Sequence, residues 1–216
     1  MILHRDERCV VVAKPTGIST HRGWDDSEDA LLQRVRDAVG LWVYPVHRLD
    51  RGASGAVLFA LDPEAARAFS EAWPQADKRY LAITRGHPPE HLVIDHPIPK
   101  APDNAARVPA VTEIWRRETF GRYAVVEARP HTGRLHQIRR HLKHIACPLI
   151  GDVRYGKGEH NRLWRERCSL HRLALHSISL RVPHPDGGEL AVTCPLADDL
   201  AAALEAGRAA FGQATS

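Results

Sequence analysis

No apolar run in this sequence approaches the ~20 residues that a membrane-spanning helix needs. The N-terminus, Met1-Ile2-Leu3-His4-Arg5-Asp6, lacks a basic region followed by an apolar signal core. The expectation is therefore a cytoplasmic protein without a membrane partner. Cysteine is scarce as well. Cys9, Cys147, Cys168 and Cys194 lie far apart and form no C-x-x-C pair, which leaves a zinc ribbon or a dithiol redox motif without support and makes free thiols the simplest reading. The chain has no glycine-rich phosphate loop, no Gly-x-Ser-x-Gly nucleophile elbow and no internal repeat, so NTPase and serine-hydrolase chemistry have no footing. His136, His141 and His144 do not share the i, i+4 spacing of a zinc helix and have no accompanying glutamate. They are read as capping, packing or surface-contact residues, with no metal expected.

What is present is enough apolar residue to bury a core. With 216 residues and 44% hydrophobic content, the chain fits one domain over 1–216. Its formal charge is +4 and its isoelectric point is near 9.0. So modest an excess selects no partner by itself, but its distribution is uneven. From Arg134 to Arg172 there are ten Lys or Arg residues against three acids, whereas from Asp186 onward five acids face Arg208 alone. A concentrated basic segment is what a phosphate-binding surface requires, although a solvated basic face would look the same.

Cys9-Val10-Val11-Val12-Ala13 reads as a buried strand that breaks at Lys14-Pro15-Thr16-Gly17. Ser27 is an N-cap candidate for a helix carrying Leu31, Leu32, Val35 and Val39 and stopping at Gly40. Further strands are expected at Leu41 to Val46, Ala56 to Leu61, Arg79 to Thr84, Leu173 to Val182 and Glu189 to Cys194. Val111 to Arg116 and Tyr123 to Arg129 form a hairpin around Gly121. Asp62-Pro63 supplies a cap and a first-turn proline for a helix from Glu64 to Trp73. The proline-rich run from His87 to Pro109 reads as irregular, with a short strand near Leu92-Val93-Ile94. Thr132 to Ile145 reads as a helix with Leu135, Ile138, Leu142 and Ile145 on its apolar stripe and Arg139 on the flank, and Asp198 to Phe211 as a closing helix. Irregular alternation with hairpins indicates an α+β fold on a mixed, largely antiparallel sheet with flanking helices.

The chemistry is expected in His47-Arg48-Leu49-Asp50-Arg51-Gly52-Ala53-Ser54-Gly55, where a carboxylate sits between two arginines on a short connection between strands. Gly52 and Gly55 permit a tight turn and close approach of a substrate. Residue types alone leave two readings open, a reactive carboxylate or a surface turn with an exposed ion pair. Arg139 is likewise either a partly buried cation with an anionic partner or a guanidinium that snorkels to solvent. Tyr80 is either a stacking platform or an ordinary core aromatic.

The His47-Arg48-Leu49-Asp50 block, followed by Ser54-Gly55 and an apolar strand, resembles the signature of the RluA-type pseudouridine synthases. Lys14-Pro15-x-Gly17 and Lys78-Arg79-Tyr80-Leu81-Ala82 match further blocks of that family. So do Thr132-Gly133-Arg134-x-His136-Gln137-Ile138-Arg139 and Pro148-Leu149-Ile150-Gly151-Asp152 with Tyr155-Gly156. Ala53 departs from the pattern, which usually has Thr there. The resemblance implies the family fold with a central cleft, here with no S4-like RNA-binding domain. It also implies isomerisation of an RNA uridine to pseudouridine. That reaction exchanges a C–N for a C–C glycosidic bond without net redox change, so no cofactor is expected. Asp50 is then the catalytic carboxylate, kept ionised by a nearby arginine, with Arg139 as its partner and Tyr80 stacked on the target base. Arg48 would fill the stack vacated when the uridine flips out. Contacts to RNA are expected from His21, Arg22, Arg51, Arg134, His136, Arg140 and Lys143.

His21-Arg22-Gly23-Trp24, the doubled Arg139-Arg140, and Asn161-Arg162 ahead of Leu173-Ala174-Leu175-His176 resemble the branch that modifies uridine 65 in the acceptor-end stem of tRNA. The expected partner is therefore tRNA, bound by a monomer with no obligate protein partner. The alternatives are the same reaction on ribosomal RNA or another tRNA position, a non-catalytic RNA-binding protein, and a metal-dependent nuclease.

Overall fold

The computed structural model describes residues 1–21, 30–101 and 106–212. In chain order its first elements are β1 (Ile2–Arg5), β2 (Cys9–Lys14), α1 (Leu31–Val39), β3 (Tyr44–Pro45), β4 (Ser54–Ala60), α2 (Pro63–Ala72) and β5 (Asp77–Arg85). Then come β6 (His91–Asp95), β7 (Ile98–Pro99), β8 (Arg107–Val108), β9 (Val111–Phe120), β10 (Tyr123–Pro130) and α3 (Gln137–His144). The last are α4 (Gly158–Cys168), β11 (Leu175–Pro183), β12 (Glu189–Thr193) and α5 (Asp198–Phe211). The fold is α+β, with a mixed, largely antiparallel sheet and five helices among the described residues. None of those helices is long and apolar enough to cross a membrane.

The chain folds as two compact units. The first comprises Met1–Lys78 and Ser177–Pro195. Its strands run in the order β1, β2, β4, β11, with β3 pairing β4 and β12 pairing β11. β2 and β4 are antiparallel in a register that runs from Cys9 opposite Ala60 to Lys14 opposite Gly55. Every residue of β4 is buried, which is why its sequence after Ser54 carries no polar side chain instead of alternating. On one face Cys9, Val11, Ala56, Leu58 and Ala60 pack with Phe69 of α2 and with Leu180, Val182, Leu190 and Val192. Burying Phe69 alone is worth about 1.5–3 kcal/mol. α2 starts as expected, with the Asp62 carboxylate accepting the Ala65 N–H at 2.8 Å and Pro63 in the first turn. It ends at Ala72 and passes into a 3₁₀ turn, Trp73–Gln75, that takes in Pro74.

The second unit comprises Arg79–His176 and Leu196–Ser216. Its antiparallel strands run β5, β10, β9, β6, and β7 and β8 form a separate pair. The β9–β10 hairpin turns at Gly121 as expected, with a φ of 53°. Ile83, Phe120, Tyr123, Val125 and Ile150 pack with Trp164 of α4 and with Leu200 and Leu204 of α5.

Several expectations need correction. The strand expected from Leu41 to Val46 shrinks to Tyr44–Pro45, and Leu41 and Trp42 are exposed. β1, an edge strand against β2, was not anticipated. Ser27 lies outside the described residues; α1 begins after Ala30, whose side chain makes no cap. The carbonyls of Ser19 and Thr20 instead accept the N–H groups of Leu31 and Leu32 at 2.9 and 3.0 Å. α3 is shorter than the expected Thr132 to Ile145, because His136 takes the left-handed conformation (φ 54°) and the helix can start only after it. Its buried face includes Gln137 and His141 beside Ile138 and Leu142. α4 was missed altogether. All four cysteines are free and buried.

Candidate active site

The first unit builds the loop that carries Asp50. Its backbone is clasped by the turn after β2. Lys14, only 2% exposed, donates from Nζ to the carbonyls of Pro15 (2.9 Å), Ile18 (2.8 Å) and Arg51 (3.3 Å). The Gly17 N–H donates to the Arg51 carbonyl at 2.9 Å, and Arg51 Nε returns a bond to the Gly17 carbonyl at 2.8 Å. Thr16 Oγ1 donates to the Gly52 carbonyl at 2.9 Å. Leu49 is held from the other side, its N–H donating to Thr20 Oγ1 at 3.2 Å. The residues flanking Asp50 are thus both pinned, and a turn bond from the Ala53 N–H to the Asp50 carbonyl at 3.0 Å closes the loop. The Asp50 carboxylate is thus half-buried on a backbone fixed from both sides.

Gly55 and His47 complete this frame. Gly55 has a φ of 116°, and a Cβ there would collide with the backbone of Ser177. No other residue type fits without displacing that strand. His47 accepts the Leu58 N–H on Nε2 at 3.1 Å and stacks on Trp73 with ring centroids 4.5 Å apart. Burial, and then the Lys78 ammonium, lower its pKa to about 3. The ring is therefore the neutral acceptor that this bond requires.

Arg48 and Arg51 are exposed on either side of Asp50. His21 follows Thr20, with its Nδ1 buried and without a hydrogen-bond partner among the described residues. Arg22 lies outside them.

In the second unit Tyr80 is 8% exposed on β5, opposite Ala128 of β10. Arg139 on α3 is partly buried, and Asp152 is one anionic partner. Nε and Nη2 of the guanidinium donate to Oδ2 and Oδ1 at 2.7 and 3.0 Å. Asp152 Oδ1 also accepts the N–H groups of Arg154 and Tyr155, each at 2.9 Å. Burial raises the Asp152 pKa, but the Arg139 and backbone hydrogen bonds outweigh it and leave the net shift downward.

Tyr155 gathers the expected basic residues. Its hydroxyl accepts from Arg140 Nε at 3.0 Å and lies 3.1 Å from His136 Nδ1. Lys143 reaches within 5.9 Å of its ring. Arg134 stands apart in the turn before α3, its Nε donating to the Pro109 carbonyl at 3.3 Å. Of the histidines left open, His141 is a packing residue. It is fully buried, bonded to Thr112 Oγ1 at 2.8 Å and to the His96 carbonyl at 2.9 Å. His144 stacks on His96 at 3.7 Å.

Sequence reasoning assigned no role to Lys14, Thr16, Thr20, Asp152 or Tyr155. The signal available was a lysine inside an apolar strand end, which must find acceptors if buried. His4, Asp6 and Cys9 bring donor atoms within 4.8 Å of one another. Their carboxylate is already committed. Asp6 Oδ1 accepts the N–H groups of Arg8 and Cys9 at 2.8 Å each, and Oδ2 pairs with His4 Nε2 at 2.7 Å.

Comparisons with known proteins identify the family. Residues 8–144 match the model of the RNA pseudouridylate synthase family. The tRNA pseudouridine synthase C of Haemophilus ducreyi is 39% identical, covering 85% of each chain. That of Vibrio cholerae is 38% identical, again covering 85% of each. The solved structure of human RNA Pseudouridylate Synthase Domain Containing 4 superposes with a TM-score of 0.79 at 28% identity, covering 96% of this chain and 92% of that one. With the family model spanning well over half of the sequence and the solved relative following the fold nearly end to end, this chain belongs to the RNA pseudouridylate synthases and is a pseudouridine synthase.

Proposed function

We propose that this enzyme converts one uridine of tRNA to pseudouridine, at position 65 in the acceptor-end stem, with Asp50 as the catalytic carboxylate. The observation that carries the assignment to Asp50 is the clasp around its loop. A buried lysine and the hydroxyls of Thr16 and Thr20 are all spent on holding backbone next to this one half-buried acid. The preference for tRNA rests on the relatives, which are tRNA pseudouridine synthases C by name.

Asp50 acts as nucleophile, or stabilises positive charge on the sugar while uracil departs. The base turns and rejoins the sugar through carbon, that carbon losing its proton while the freed ring nitrogen gains one. A stem uridine must first leave its stack, at a cost of a few kcal/mol. Arg48, exposed beside Asp50, takes the vacated place, and Tyr80 holds the flipped base by its ring face. Arg139 serves the same reaction. His21, Arg22, Arg51, Arg134, His136, Arg140 and Lys143 contact the RNA. The enzyme works as a monomer in the cytoplasm.

Pseudouridine mapping of unmodified tRNA and ribosomal RNA, after incubation with the wild type and with Asp50→Asn, tests this reading. One new acceptor-stem site, made only by the wild type, is the expected result. Sites confined to ribosomal RNA, or an unaffected Asp50→Asn, would overturn the substrate or the catalytic assignment respectively.

A further inference from the structure

We propose that Tyr155 organises a phosphate clamp for the RNA backbone, in which Arg140, Lys143 and Arg154 are the gripping cations. The clamp rests on the reading of this chain as an enzyme that acts on RNA.

Four cationic groups surround one aromatic ring. The charge centres of Arg139, Arg154, Arg140 and Lys143 lie 5.1, 5.7, 5.8 and 5.9 Å from the Tyr155 ring centroid. The only carboxylate described within this cluster is Asp152, and Arg139 occupies it through two bonds. Among the described residues no acid pairs with Arg140, Lys143 or Arg154. Three like charges collected without a counter-charge repel one another, and an anion placed among them relieves that repulsion.

The arrangement is built into the local backbone. Tyr155 is fixed through its own N–H on Asp152 Oδ1. Gly151 (φ 75°) and Gly156 bracket the turn, and a Cβ on either would run into a backbone carbonyl, that of Arg172 or that of Asp152. Arg140 is held at both ends of its guanidinium, Nε on the Tyr155 hydroxyl at 3.0 Å and Nη1 on the Pro99 carbonyl at 2.6 Å. His136, a non-glycine residue in the left-handed region, has its ring directed at the same hydroxyl. Strained backbone of this kind persists where its surroundings over-determine it. Arg154 and Lys143 remain exposed, free to close on a phosphate from the solvent side. Guanidinium groups match phosphate oxygens through paired N–H bonds, and the lysine adds a point charge. Tyr155 contributes no charge, so it is a positioning residue.

The test is binding of the full-length chain to an unmodified tRNA transcript across a salt series. Each of Lys143→Gln and Arg154→Gln should reduce the magnitude of the slope of log K against log salt by about 0.7–0.9, and the double variant by about twice that. Arg154→Lys should restore the slope. Arg67→Gln, on the exposed side of α2, should leave it unchanged. Tyr155→Phe should weaken binding at fixed salt and make a further Arg140→Gln change cost less than it does in the wild type. Additive losses would reduce Tyr155 to a structural residue. An unchanged slope in the Lys143→Gln/Arg154→Gln variant, or no binding by the wild type, overturns the clamp. Pseudouridine formed alongside an unchanged slope would remove the clamp and leave the enzyme. Altered slopes without any pseudouridine would leave the clamp and remove the reaction.

Discussion

Replacing Asp152 by Asn keeps the side chain's shape and removes its charge. The carboxylate is completely buried, and its partner Arg139 is 11% exposed in the side chain. It accepts four hydrogen bonds: Oδ1 from Arg139 Nη2 and from the N–H groups of Arg154 and Tyr155, Oδ2 from Arg139 Nε. An amide must present its NH₂ group to one of those sets, and each offers only donors. Its better orientation, with oxygen at the Oδ1 position, still faces NH₂ against Arg139 Nε–H. Breaking one half of a buried pair typically costs about 3–5 kcal/mol. For a chain of this size that corresponds to a fall in Tm of roughly 6–20 °C. Urea denaturation of the wild type and the variant checks the magnitude. Because the native pKa of Asp152 lies below its ordinary value, the stabilisation is fully present above the unfolded-state pKa. It disappears as pH falls through the native one, so the two proteins should converge in acid. A loss below about 1 kcal/mol at neutral pH would refute the reasoning, since that is the size of a solvent-screened surface pair.

Gly55→Ala should destabilise the protein by about 2 kcal/mol or more, because it combines an unfavourable φ with a clash against the Ser177 backbone; an unchanged denaturation midpoint would remove that argument. Asp6 has its pKa held at about 2, since the His4 side chain and the N–H groups of Arg8 and Cys9 outweigh the upward push of burial. Its contribution is present above the unfolded-state value and lost as pH falls towards 2. The stability gap between wild type and Asp6→Asn, followed by urea denaturation at stepped pH, should therefore shrink between about pH 4 and 2; a constant gap would contradict it. Lys14→Met should lower both stability and pseudouridine yield, as three carbonyls around the Asp50 loop lose their shared donor. Normal yield in that variant would show that the clasp is dispensable.

Much of the fold was legible where local chemistry and burial agree. Cys9 to Ala13 and Ala56 to Ala60 are apolar because both are buried strands, and Asp62-Pro63 and Gly40 punctuate their helices as their types suggest. α4 was hidden because its buried side carries His160 and Asn161 beside Trp164 and Cys168. Those polar groups are satisfied only in the folded chain, His160 by the Tyr123 hydroxyl and Asn161 by the Gly151 N–H and the Asp152 carbonyl. No hydrophobic period could have revealed them. α1 lacks a readable cap for a similar reason, since backbone carbonyls from a distant turn do the capping. At the candidate site, the motif residues Asp50, Tyr80 and Arg139 could be named from sequence. The partners that hold Asp50's loop and Arg139 could not, because the convergence of Lys14 on Arg51 and of Arg139 on Asp152 depends on tertiary geometry.

The most direct test of the central claim is the single-turnover rate of pseudouridine formation on an unmodified tRNA transcript, measured for the wild type and for Asp50→Asn together with transcript binding. The account predicts no detectable pseudouridine from Asp50→Asn, with affinity kept within about tenfold, or 1.4 kcal/mol, of the wild type. A rate close to that of the wild type would contradict it and move the catalytic role to another residue.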